Sequence, residues 1–151
     1  MTIYLFYVFD RHCSCIYSRE FEHPEGLDKE AKINHNNESD VAKLLFGALY
    51  GLKTLSLKLS GLLAGNSLRS FCTGAYRVHF FETLSKFKFV LVTDLRVETV
   101  QLQLQQLYSQ VFVNTVVMNA LSPVEFGASH ITNDSFIRQS DSFLRLLPVF
   151  E

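Results

Sequence analysis

Residues 67–93 read SLRSFCTGAYRVHFFETLSKFKFVLVT, three runs rich in aromatic and branched side chains parted by two short breaks. Such side chains fit the pleated, half-buried surface of a sheet, and breaks this short leave room only for tight reversals. The runs Ser67–Thr73, Ala75–Thr83 and Phe87–Thr93 are therefore expected as three antiparallel strands turning at Thr73-Gly74 and Leu84-Ser85-Lys86. In the middle run Tyr76, Val78 and Phe80 alternate with Arg77, His79 and Phe81, so one face is apolar and the other mixed.

Towards the N-terminus, Ile3–Phe9 reads as a fourth strand, and after Asp10-Arg11-His12 the alternating run Cys13–Phe21 completes a hairpin. Residues 22–39 then collect Glu, Asp, Asn and His around Pro24 and Gly26, the composition of a mobile acidic loop. A long helix is expected from Ser39, a good N-cap, through Asp40 in the first turn to a stop at Gly61. At roughly 100° per residue, Val41, Leu44, Leu45, Ala48, Leu52, Leu55 and Leu59 share the broad face assigned to the core. Phe46, Tyr50, Lys53 and Leu57 form a second stripe. A helix on a sheet buries one face, so Phe46, Tyr50 and Leu57 are expected to be exposed and, with Lys53, to form a partner interface.

Downstream, Glu98–Met118 reads as a second long helix with Val100, Leu104, Leu107, Val111 and Met118 inward and its glutamines in solvent. A third helix runs over Asn133–Leu147 and is closed by Pro148, with Phe136, Ile137, Ser140, Phe143, Leu144 and Leu147 spaced for burial. The order ββαβββαα specifies an α+β domain over 1–151, a five-stranded antiparallel sheet with long helices on its faces.

Composition narrows the function. Apolar residues make up 48% of the 151 and charged residues 19%, with 14 Phe and 6 Tyr, which implies apolar surface for a partner to cover. A formal net charge of -1 gives no basic field for phosphate backbones, so nucleic acid is not an expected partner. The opening apolar run is only a strand's length and follows no basic region, so no signal peptide is read. No run approaches the roughly 18 apolar residues of a membrane span. Three cysteines without a secretory signal fit the reducing cytosol.

Catalytic and metal chemistry find little support. Cys13-Ser14-Cys15 has one intervening residue where structural zinc pairs have two to four, and Cys72, His79 and His130 supply no second pair. There is no Gly-x-Ser-x-Gly elbow, no Gly-rich phosphate loop and no His-Glu-x-x-His. No catalytic residue, metal or cofactor is therefore expected, and His79 is expected to hydrogen-bond inside the sheet or at its edge. Arg69, Arg77, Lys86, Lys88 and Arg96 gather in the second half of the sheet. They are either ordinary solvated positions or a positive patch for an acidic partner surface or anionic lipid.

Several blocks carry a family resemblance. Ile3-Tyr4-Leu5-Phe6-Tyr7-Val8-Phe9-Asp10-Arg11 resembles the first strand of the small sybindin-like subunits of TRAPP, the transport protein particle. Leu68-Arg69-Ser70-Phe71-Cys72-Thr73-Gly74-Ala75-Tyr76-Arg77-Val78-His79 is similar to their middle block. Val92-Thr93-Asp94-Leu95, Asn119-Ala120-Leu121-Ser122-Pro123 and Asp141-Ser142-Phe143-Leu144-Arg145-Leu146-Leu147-Pro148 follow in register, and only residues 22–39 fall outside the likeness. The resemblance implies a longin-like fold with one helix on one face and two on the other. It also implies a non-catalytic core subunit of a complex that tethers vesicles between endoplasmic reticulum and Golgi. That complex accelerates nucleotide exchange on a Rab GTPase, which this chain would meet only in the assembly. The implied partners are a larger longin-like subunit and a Bet-three-type subunit, and the implied location is the cytoplasmic side of endoplasmic reticulum and Golgi membranes. Other longin-type modules, a SNARE regulatory domain or a small adaptor-coat subunit, are the alternatives. Such a SNARE is expected to continue into a coiled coil and a membrane anchor, which residues up to Glu151 do not supply.

Overall fold

A computed structural model describes residues 3–21, 40–60, 68–121 and 130–147. Strands β1 (Ile3–Phe9) and β2 (Cys15–Glu20) precede helix α1 (Asp40–Ser60). The meander β3 (Ser70–Cys72), β4 (Tyr76–Glu82) and β5 (Lys88–Asp94) follows, then α2 (Gln101–Gln106), a π-helical segment (Leu107–Val117) and α3 (Asp134–Arg145). The order of elements is the one expected, and all four strand pairings are antiparallel, giving the sheet order β2-β1-β5-β4-β3. The expected loop over 22–39, the Ser39 cap, Gly61 and Pro148 lie outside the described residues.

Helices cover both faces of this sheet, which explains why its central strands read as nearly continuous apolar runs rather than strict alternations. Phe6, Val8, Phe89 and Leu91 point into one core with Leu104, Leu107, Val111, Phe112, Phe136 and Leu144 of the C-terminal helices. Tyr7, Phe9, Val78, Phe80, Val90 and Val92 point into the other with Ala42 and Leu49 of α1. One helix on one face and two on the other is the longin-like arrangement.

Side chains fix the connections. Asp10 is buried, and its Oδ1 accepts hydrogen bonds from the backbone N–H of His12 and of Ser14, both at 2.9 Å. The turn it organises places Cys13 at φ 69°, a left-handed conformation, with its thiol exposed, while Cys15 is buried at the start of β2. The expected start of the second strand at Cys13 is thus corrected to Cys15, because Cys13 belongs to the turn. On β2, Arg19 Nη2 donates to Asp141 Oδ1 at 3.0 Å, and Tyr17 packs edge-on against Phe136 at 5.0 Å, docking α3.

The second helix departs from its expected facing. Beyond Gln106 the chain widens to a π-helix, with the Met118 N–H donating to the Val113 carbonyl five residues back. The wider turn brings Leu107, Val111, Phe112, Thr115 and Val116 inward and carries Met118 out into solvent. A spacing of 3.6 residues therefore misplaces Met118. Nor are all its glutamines solvated: Gln101 Nε2 donates to the carbonyls of Phe80 and Arg69, clamping the end of the meander to α2.

Candidate partner interface

Helix α1 carries apolar side chains almost all the way round, with Lys43, Lys53 and Lys58 as its cations. Hydrophobic spacing alone does not decide which side such a helix turns to the sheet. The structure buries Ala42 and Leu49, with Leu45 and Phe46 partly buried beside them. Leu44 (73%), Leu55 (51%) and Leu59 (77%), assigned to the core from the sequence, are exposed, and Ala48 with them. Phe46, expected outside, packs its ring 5.7 Å from Phe9. Two contacts decide the rotation: Phe46 seated on Phe9, and Lys53 drawn down to a carboxylate at the end of β4.

Of the expected stripe, Tyr50 (64%) and Leu57 (51%) are exposed, while Phe46 and Lys53 are half-buried at its root. The Tyr50 ring stacks on Phe46 at 6.3 Å, so it stands out from a rigid base. The helix thus shows two apolar flanks: Tyr50 and Leu57 on one side, Leu44, Ala48, Leu55 and Leu59 on the other. The second was missed because its spacing is the same as that of a core face. The available signal was how narrow the polar strip of α1 is, Lys43, Thr54 and Lys58 beside two glycines, with apolar side chains over most of the remaining circumference. Between the flanks lie Gly47 and Gly51, where an added Cβ would meet nothing within 4 Å.

Lys53 Nζ lies 2.6 Å from Glu82 Oε2, and Lys86 Nζ lies 3.4 Å from Oε1. Burial raises the Glu82 pKa, but the hydrogen bond and charge of Lys53, with Lys88 and Lys86, outweigh it and hold the carboxyl below its usual range. The five expected patch residues do not form one surface. Lys88 is buried, its Nζ donating to the Lys86 carbonyl at 3.1 Å. Arg77, at the other end of β4, donates through Nη1 to the carbonyls of Val97 (3.0 Å) and Glu98 (2.9 Å) and holds the β5–α2 connection. Arg96 is exposed on that connection, and its backbone N–H donates to Asp94 Oδ1. Arg69 and Lys86 remain accessible and line one cleft.

His79 is buried with Nε2 2.9 Å from Thr93 Oγ1, the in-sheet role expected of it. Burial, helped by the Arg77 charge, pushes its pKa down to about 4. The folded state therefore resists the proton that the unfolded chain takes up below pH ~6.5. Stability should be unaffected by this group above that pH and fall as pH drops towards 4, by about 3 kcal/mol at the limit. Urea denaturation at pH 7, 5 and 4 checks this, and His79→Gln should remove this part of the slope.

Among the described residues no group of three or more His, Cys, Asp or Glu is placed to hold a metal ion, and no helix is long and apolar enough to cross a membrane. Comparison with known proteins decides the family. The family model described as "Sybindin-like family" matches residues 3–146. The chain belongs to the Sybindin-like family.

Full-length relatives agree. The chain is 38% identical to trafficking protein particle complex subunit BET5 of Saccharomyces cerevisiae, over 95% of this chain and 96% of that protein. It is 32% identical to trafficking protein particle complex subunit 1 of Dictyostelium discoideum, over 98% of each chain. It is 31% identical to the Homo sapiens protein of the same name, over 99% of this chain and 97% of that one. As a Sybindin-like chain it pairs a strongly packed two-sided core with an α1 helix whose apolar surface its own described residues leave uncovered.

Proposed function

We propose that this chain is a core subunit of a trafficking protein particle complex, TRAPP, in which α1 is an assembly surface. The reading is carried by similarity along nearly the whole length to proteins named as subunits of that complex. Two exposed apolar flanks on one helix support it, since such surface is costly to leave in water and is commonly covered by partners. In this reading one flank meets the larger longin-like subunit and the α1 surface contributes to a platform for a Rab GTPase. The complex works in transport between endoplasmic reticulum and Golgi. Phe46 and Lys53 act from beneath, setting the height of Tyr50 and Leu57.

Nucleotide exchange on this reading belongs to the assembly, with no activity in the isolated chain. Co-expression with the other small subunits of the complex, followed by a Rab nucleotide-release assay, tests both parts. Stoichiometric co-purification is expected, with release accelerated by the assembly and not by the chain alone. Exchange at an unchanged rate by an assembly lacking this chain would refute the platform role.

A further inference from the structure

Three cations, Lys53, Arg69 and Lys86, line one corner of a protein whose formal net charge is -1. Lys53 and Lys86 both pair with Glu82, and Arg69 stands nearby with no partner for its guanidinium among the described residues. One carboxylate cannot balance them. They border a cleft of about 620 Å³ whose walls include Leu68, Phe80 and Leu102. Its shape is half-open, and Lys53 and Glu82 are recessed within it. The geometry points to this cleft as a docking site for an acidic segment of a partner polypeptide, one carboxylate-bearing residue flanked by apolar ones.

Charge complementarity decides the sign of the occupant: an incoming carboxylate relieves the repulsion among cations that Glu82 only partly offsets. Shape decides its class. A bilayer surface is read by polybasic clusters that reach it together, whereas here the Lys53 ammonium sits inside a concavity. Apolar walls beside the charges favour a segment that inserts side chains of both kinds. Gln101 adds rigidity, its amide already holding the Phe80 and Arg69 carbonyls so that the cleft wall is set before binding. Arg69 and Lys86 would serve this segment whichever face of α1 meets which subunit of the proposed complex.

The test uses the full chain and a fluorescent nonapeptide alternating Leu and Glu, with its Gln-for-Glu counterpart as control, followed by anisotropy. The acidic peptide should bind at least about tenfold more tightly than the control, and the Arg69→Glu/Lys86→Glu variant should lose that preference. Both substitutions fall on exposed side chains, and circular dichroism confirms that the variant is folded. The α1 variant Tyr50→Asp should bind the peptide normally, which separates failure of the cleft from failure of the α1 interface. Equal binding of the two peptides overturns the proposal. So does selective binding of phosphatidylserine vesicles without peptide binding, which would make the corner a membrane contact.

Discussion

Tyr50→Asp is expected to leave the chain folded and to cut its incorporation into the assembled complex about 100-fold, equivalent to roughly 2.7 kcal/mol of interface free energy. Tyr50 makes little of the fold: it is mostly exposed, and its ring rests on Phe46 rather than filling a core. Covering an aromatic side chain and its neighbouring leucine contributes roughly 1.5–3 kcal/mol each, and a carboxylate in the same place must be desolvated without a partner. Co-purification of tagged variants measures the loss, and thermal melting shows that the monomer is intact. Incorporation of the variant at the wild-type level would mean that this flank faces solvent. Leu55→Asp probes the other flank, and the subunit lost with each variant identifies the face. Gly51→Ala is the control for the helix itself. Its new Cβ has open space, so the isolated chain should gain about 1 kcal/mol from helix propensity.

Phe112→Ala should have the largest effect on folding, a loss of about 3–5 kcal/mol. Phe112 is fully buried where three elements meet, its ring 5.1 Å from Phe87, 5.2 Å from Phe89 and 5.9 Å from Phe136. Truncation leaves a cavity between the sheet, the π-helical segment and α3, and rings held by so many neighbours close such a space poorly. Against a typical total of ~5–15 kcal/mol this is a large fraction of the stability, enough to unfold the variant where the total lies at the low end. Urea denaturation checks it, and a cost below about 1 kcal/mol would show that this core is loosely packed.

The strands and their order were legible because aromatic and branched runs with tight breaks leave few alternatives. β4 lies inside the stretch read as Ala75–Thr83, and β5 overruns Phe87–Thr93 by the single residue Asp94. The rotation of α1 was not legible, because a helix apolar over most of its circumference offers periodicity little contrast. Phe46 and Leu44 exchanged places for a reason that lies in β1 and β4, at Phe9 and Glu82. Met118 was misplaced by the π-helical widening, which nothing in its spacing announces. The basic residues failed as one patch because Arg77 and Lys88 are spent on backbone carbonyls. Such pairing depends on which carbonyls the fold leaves open, and composition does not carry that.

The two-flanked α1 helix also bears on how the cell handles this chain. A newly made copy presents Leu44, Leu55 and Leu59 on one side and Tyr50 and Leu57 on the other until its neighbours arrive. Surplus copies are then the ones that chaperones hold and proteases remove. Where the proposed assembly covers these flanks, the amount of this protein should follow the supply of its partners rather than its own rate of synthesis, and the exposed leucines would enforce stoichiometry.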